Sequence, residues 1–478
     1  MFLKMAFTVS RMQAAWETPQ RYIPFLHLFF YLLLFHPKAV LASPLGGFPD
    51  FYHVGGGRNL FAWHFDGTAA AKTPPSDGDD RPVILWLSGG PGCSSLLALF
   101  GENGPYRIDP TTGDAVPNMF SWTEAGATVI WLDQPVGTGY SYGGVPRHNT
   151  EPGVAEDVWT FLKCWFKKFS YEGRPLEIFG ESYAGHYVPA LAREILRRND
   201  EATNYHLNLT GVAIGNGFTD PAIQYKYHRS YAKDNGLVSS LTLAAMGAAL
   251  ALCEPLVKGC NAGDDIENWT ECYNAYLVCN MGLIMPVEAT GVNPYDIRGQ
   301  CAVKPLCYDF SPIDNFLARS SVREELKIPH GHRWSECNKV VDMTMIYGGD
   351  WPKNFLGDVE EILGSGIEIL VYAGEYDFIC NWMGNQAWTE ALSWHGAEGY
   401  ANAQSNRWVT DTGVVAGSYK SYNGLTFLKV FNAGHLVPFD QPENSLDMVK
   451  RHLRRGFEGS DKIAGPLSKK MSLRQQEE

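Results

Sequence analysis

The sequence predicts an α/β fold in which a mostly parallel central sheet carries an inserted, disulfide-stapled helical cap. Three observations predict it. Short β-rich runs recur along the chain, and many end in glycine or an acidic residue. Helical patterns separate many of them, and strands alternating with helices make a largely parallel sheet covered on both faces. Between residues 220 and 345 the rhythm breaks, and seven of the ten cysteines fall there. Stapling of that kind suits a segment without a large core of its own.

The elements follow in chain order. An apolar run from Ile23 to Phe35 is preceded by Lys4, Arg11 and Arg21, and Val40 and Ala42 supply small residues at the minus-three and minus-one positions of a cleavage site. The run is shorter than the ~20 apolar residues of a membrane span. Residues 1–42 therefore read as a signal peptide, with an uncleaved anchor as the alternative. No second long apolar run is read after it, so the mature chain is expected to be soluble, with no membrane association after cleavage. The β-rich runs are "VILWLSGG" (83–90), "TVIWLDQP" (128–135), "LEIFG" (176–180), "GVAIGNG" (211–217), "IEILVYAGEYD" (367–377) and "LTFLKVFNAGH" (425–435). "VAEDVWTFLKCWFKKF" (154–169) is one of the helical patterns between them, and "KTPPSDGDDRP" (72–82) reads as a surface loop. Residues 43–219 and 346–457 form the expected core, 220–345 the cap, and 458–478 a polar tail.

At 478 residues the chain can bury one large core or two ordinary ones. A net charge of -13, spread along the chain, argues against a nucleic-acid partner. Cysteines entering the secretory route pair with one another. A zinc site is the rival reading of Cys253, Cys260, Cys272 and Cys279, but no histidine interleaves them, and no metal is expected. Sequons at Asn208 and Asn268 fit the same compartment.

The chemistry begins at "LEIFGESYAGHYVPALAREILRR". Leu176–Phe179 reads as a buried strand, and Val188, Leu191 and Ile195 then recur at helical spacing. Ser182 thus sits where a strand turns into a helix, with Gly180 and Ala184 two positions away on either side. A nucleophile elbow needs such small flanking residues, because it pushes a serine oxygen out above the sheet. Ala184 stands where glycine is usual, and a helix-capping serine is the plainer reading. The sheet of an α/β-hydrolase places acid and base after the serine, in the order Ser, Asp, His. Asp377 and His435 lie just past two later strands in that order. A lone strand-end Asp or His is ordinary, but three at matching strand ends make a triad the better reading. The oxyanion hole needs two backbone N–H groups. One falls to Tyr183 and the other to the glycine loop "LSGGPGCSS" (87–95), which lacks the lysine of a phosphate-binding loop. These residues describe an acyl-transfer hydrolase that uses a serine nucleophile and no cofactor.

At this point the chain resembles the serine carboxypeptidases. The matching pieces are "WLSGGPGCSS", "ENGP", "DQPVGTGYSY", "GESYAGHYVP", "GNGFTDP", "NPYDIRGQC", "AGEYDFICNW" and "AGHLVPFDQP", in collinear order. The family's own elbow reads G-E-S-Y-A-G, which accounts for Ala184. The resemblance implies an α/β-hydrolase fold and removal of the last residue from peptide and protein C-termini. It implies Ser182, Asp377 and His435 as the triad and Gly90 and Tyr183 as the oxyanion hole. It implies Trp86, Ser88, Glu102 and Glu181 as the grip on the substrate's terminal carboxylate. Two glutamates facing a third carboxylate raise one another's pKa, so binding is expected to need acid.

Peptidase members usually carry asparagine where this chain has Ser88, whose shorter hydroxyl reaches a carboxylate through water. A lost charge-assisted bond is worth about 1.5–3 kcal/mol. An acyltransferase or esterase on the same triad is therefore the alternative, and a partner-protecting protein with residual peptidase activity is a third reading. By the family's pattern Cys93 pairs with Cys337, Cys253 with Cys279, Cys260 with Cys272 and Cys301 with Cys307. Cys380 is then a free thiol beside the site, and Cys164, on an amphipathic helix, is expected to be buried. Leu97 and Leu436 suggest an apolar pocket for the leaving residue. Residence in a lysosome or vacuole, or secretion, is expected, and a homodimer is compatible with the sequence.

Overall fold

Val83–Leu87 carries no polar side chain, and all five residues are buried. Val83, Leu85 and Leu87 join the apolar cluster on one face of the sheet, and Ile84 and Trp86 join the cluster on the other. A strand buried on both faces reads as a continuous apolar run instead of an alternating one. The computed structural model describes residues 45–67, 81–144, 150–201, 205–263, 269–304 and 306–457. The signal peptide at 1–42, the tail at 458–478, Asn268 and residues 72–80 of the surface loop lie outside the described residues.

The described strands are β1 (Phe48–Gly55), β2 (Arg58–Phe65), β3 (Val83–Leu87), β4 (Tyr106–Ile108), β5 (Ala115–Pro117), β6 (Thr128–Asp133), β7 (Leu176–Glu181), β8 (Leu209–Gly215), β9 (Glu368–Gly374), β10 (Asn406–Val409), β11 (Val415–Tyr422) and β12 (Leu425–Val430). Ten of them form one sheet in the order β1-β2-β6-β3-β7-β8-β9-β12-β11-β10, and β4 and β5 pair separately. The six runs picked from the sequence are its central strands, β6 to β12, joined by parallel pairs. The edges β1, β2, β10 and β11 pair antiparallel and escaped that reading. In β10, for example, Trp408 is the single buried side chain, too little for a periodic signal.

The helix Glu151–Phe169, between β6 and β7, buries Val154, Val158, Phe161, Leu162 and Trp165 against the sheet. Cys164 lies on its other side and is exposed, which corrects the expectation that it is buried. Its neighbour Trp165 takes the core position on that turn.

Helices fill the chain between β8 and β9. Disulfides Cys253–Cys279 and Cys260–Cys272 tie the helix Ser240–Cys260 to Trp269–Cys279, and Cys301–Cys307 closes a short loop. The helix Ser240–Cys260 buries little besides Met246, Cys253, Val257 and Cys260. By length and composition it is apolar enough to cross a membrane, so the reading that no further long apolar run follows is corrected. Alanines, Glu254 and Lys258 break up its hydrophobicity to the eye.

The fourth disulfide, Cys93–Cys337, joins the loop after β3 to the chain between β8 and β9 across 244 residues. Gly92 O and Ser94 N–H flank it with backbone bonds to Asn338 and Glu336 at 2.9 Å each. Closing so long a loop restricts the unfolded chain strongly. Replacing both cysteines with alanine is expected to cost roughly 2–5 kcal/mol, measurable as a lower denaturation midpoint, with a steeper denaturant slope because the freed unfolded chain exposes more surface.

Candidate active site

β7 delivers Ser182 at its carboxyl end, with φ at +65°. That left-handed conformation is strained for a serine and is held by its surroundings. Ser182 N–H donates to Gly215 O at 3.0 Å, and Ser182 O accepts from Gly185 and Phe218 N–H at 2.9 Å each. The turn is so tight that a Cβ on Gly180 would stand 2.6 Å from the Ala184 methyl. Tyr183 takes the N-cap position of helix Ala184–Asn199, so Ser182 is no capping serine. A Cβ on Gly89 would meet Tyr183 N at 2.4 Å, so glycine lets the loop after β3 lie directly on the elbow.

Gly90 in that loop has φ +113°, again in the left-handed region. Among the described residues neither its N–H nor that of Tyr183 makes a hydrogen bond, which leaves two donors for a developing oxyanion. Buried Asp133, at the end of β6, shapes the loop. It accepts from Ser94 Oγ at 2.6 Å, Ser95 N–H at 3.0 Å and Tyr140 N–H at 2.9 Å.

Past β9, Asp377 is fully buried at 0% exposure. Its Oδ2 faces His435 Nδ1 at 2.8 Å and accepts from Asn216 Nδ2 at 2.8 Å and Cys380 N–H at 3.2 Å. Oδ1 accepts from Ile379 N–H at 2.9 Å. Asn216 therefore supports the acid, a role the sequence reading missed although the residue lay within a quoted motif. Its own Oδ1 accepts from Gly374 N–H at 3.2 Å. His435 N–H donates to Tyr295 O at 2.7 Å, which fixes the His435 backbone against the chain between β8 and β9. Ser182 and His435 share the wall of one cavity, and among the described residues no hydrogen bond joins them. Cys380 Sγ lies within 4.8 Å of ligand atoms of Asp377 and His435. Burial, with the charge of Asp377, pushes its thiol up, so it stays protonated and is a poor nucleophile.

The cavity holds about 280 Å³. Ser88, Glu102 and Glu181 lie on its polar side, and Leu97, Tyr295, Tyr308, Trp351 and Leu436 on its apolar walls. Glu102 and Glu181 are buried and meet in a carboxyl–carboxyl hydrogen bond. Apart from each other, their Oε2 atoms have no partner. Burial pushes Glu102 up to about 8. Burial and the neighbouring Glu102 push Glu181 well above the ordinary carboxylate range. Ser88 Oγ accepts from Trp86 Nε1 at 3.1 Å, which leaves its hydroxyl hydrogen for a ligand. Of the four residues expected to grip a carboxylate, Ser88, Glu102 and Glu181 reach the cavity, and Trp86 acts through Ser88.

A family model described as serine carboxypeptidase matches residues 47–455. A protein named serine carboxypeptidase-like from Oryza sativa subsp. japonica is 42% identical over 381 residues, 79% of this chain and 86% of that one. Carboxypeptidase Y of Saccharomyces cerevisiae is 41% identical over 409 residues, 84% of this chain and 74% of that one. Among solved structures, the prohormone-processing carboxypeptidase Kex1(delta)p from Saccharomyces cerevisiae is similar with a TM-score of 0.74 at 26% identity, covering 86% of this chain and 91% of that one.

Proposed function

The chain belongs to the serine carboxypeptidase family, and from that premise we propose that Ser182, His435 and Asp377 carry out its hydrolysis of the C-terminal peptide bond. As a serine-type carboxypeptidase it acts on peptides with a free C-terminus. Ser182 Oγ attacks the last peptide carbonyl while His435 Nε2 takes its proton. The oxyanion settles against the N–H groups of Gly90 and Tyr183. His435 then protonates the leaving amine, the terminal amino acid departs, and water attacks the acyl-enzyme by the same route. Asp377 holds the imidazole in the tautomer that presents Nε2 to the serine.

The observation that carries this reading is the buried Glu102–Glu181 pair in the cavity of Ser182. Below its raised pKa each glutamate is protonated and can donate a hydrogen bond to a substrate carboxylate. As pH rises through about 8 the pair ionises and repels that carboxylate, so binding of a free C-terminus is favoured on the acid side of that value. The same shifts act on stability. Each folded value lies above the ordinary 4.5, so this contribution is whole below 4.5 and is lost as pH rises through the folded value, about 8 for Glu102.

The deciding test compares two N-blocked dipeptides, one a free acid and one a C-terminal amide, from acidic pH to beyond the raised value of about 8 for Glu102. The free acid is expected to be cleaved best at low pH and to lose its advantage as pH rises, mainly through KM. Glu181→Gln, which keeps a donor without titrating, is expected to flatten that rise. An acid that shows no advantage at any pH would refute the grip. The acyltransferase or esterase reading is favoured by one observation, Ser88 in place of the family's usual asparagine, and preferred reaction with esters would establish it.

We also propose a cap at residues 220–345, glycosylation at half-exposed Asn208, and delivery through the secretory pathway to a lysosome or vacuole. The four disulfides support an oxidising compartment.

A further inference from the structure

A second buried pair of acids lies against the elbow, at the hydroxyl end of Tyr183. Glu151 is 1% exposed and Asp350 2%. Glu151 is the first residue of helix Glu151–Phe169, and its backbone N–H donates to Asp350 Oδ2 at 2.9 Å. Tyr183 Oη donates to Asp350 Oδ1 at 2.6 Å, and His186 Nδ1 faces the same oxygen at 3.3 Å. Asp350 precedes Trp351, which lines the cavity and packs on the Tyr183 ring at 5.3 Å. One carboxylate thus joins a helix start, the oxyanion residue and the cavity wall. Neither side-chain oxygen of Glu151 has any other partner.

We propose that Glu151 and Asp350 share a proton as a second carboxyl pair, and that this pair positions Tyr183 and so its oxyanion donor. The inference rests on the reading of Ser182 as nucleophile and Tyr183 as donor. Two negative charges at contact in a dry interior repel, and the affordable state is one acid and one carboxylate. The protonated Glu151 donates to Asp350, which keeps its other acceptor sites for Tyr183 and the helix. Ionising Glu151 would push Asp350 away and drag Tyr183 with it.

The surroundings agree. Burial first, then Asp350, holds Glu151 well above the ordinary range, and Asp358 from the helix Leu356–Gly364 adds to it. The Tyr183 and Tyr187 hydroxyls face the pair from the elbow helix. His186, with Asp220 beyond it, is kept neutral by burial. The two pairs then have separable effects. Glu102–Glu181 touches the substrate carboxylate and governs KM for free acids, and Glu151–Asp350 touches no substrate and governs kcat.

Glu151 is therefore a positioning residue, tested with the C-terminal amide substrate, which does not engage Glu102–Glu181. Wild-type kcat is expected to fall at alkaline pH, as Glu151 ionises. One pH unit above the midpoint, wild type retains about a tenth of its plateau. Glu151→Gln keeps the hydrogen bond without titrating, so its plateau is expected to extend at least one unit further, with KM for the free acid and its pH dependence unchanged. Glu151→Ala loses the bond, and kcat is expected to drop about tenfold at every pH. Identical kcat profiles in wild type and Glu151→Gln overturn the proposal, as does loss of activity on chelation with recovery on adding zinc or magnesium. If Glu151→Gln folds poorly, the pH at which amide exchange at Tyr183 changes in the wild type, set against the kcat midpoint, decides instead. Disagreement of the two midpoints refutes the proposal. An inactive wild type on both substrates, by contrast, refutes the triad reading itself.

Discussion

Ser182→Ala is expected to lower kcat on a peptide substrate by about 10⁴–10⁶-fold, with KM and folding nearly unchanged. The hydroxyl supplies the attacking oxygen, and Ser182 alone on the cavity wall stands at the elbow after β7. Cys380, the nearest thiol, is buried and held protonated. The elbow itself does not depend on Oγ, since the backbone bonds to Gly215, Gly185 and Phe218 hold the turn. Steady-state kinetics with a product-binding measurement on the same variant checks this. Residual activity within tenfold of wild type would remove Ser182 from the mechanism.

Asp377→Asn is expected to cost about 10⁴-fold in kcat, and unlike the serine variant it should also cost stability. The reason lies in the donors around the carboxylate. Oδ2 meets His435 Nδ1, Asn216 Nδ2 and Cys380 N–H, and Oδ1 meets Ile379 N–H. An amide has a single oxygen. If that oxygen takes the Oδ2 place, the new NH₂ confronts the Ile379 N–H. If it takes the other place, the NH₂ confronts three donors and turns the histidine to the wrong tautomer. An unsatisfied buried group of this kind costs roughly 1–3 kcal/mol. Chemical denaturation of the two variants side by side tests the contrast, and equal stability would contradict this account of the donors.

The site was legible in unequal parts. Ser182, Asp377 and His435 stand at strand ends, where a buried parallel sheet leaves a strong local signal of apolar run, then turn. Glu181 was legible because it adjoins Ser182, and Glu102 only through a collinear motif. Asn216, Glu151 and Asp350 carried no such signal. Asn216 reads as a turn residue, Glu151 as an acid in a helix first turn, and Asp350 as a loop acid beside two glycines. Each acquires its part from what lies against it in space, and those neighbours are 161, 199 and 167 residues away for Asp377, Asp350 and Tyr183 respectively.

By itself the sequence determined the central parallel strands, the elbow and the order of the catalytic types, because steric and hydrophobic demands on a buried strand and a tight turn are local. Only the tertiary structure decided the antiparallel edges, the exposed place of Cys164 and the burial of Glu102 beside Glu181 and of Glu151 beside Asp350. Those depend on long-range contact and on the dryness of the interior. A carboxyl in sequence is an ordinary acid, and it becomes a hydrogen-bond donor only when burial beside a second carboxyl makes its charge too costly to keep.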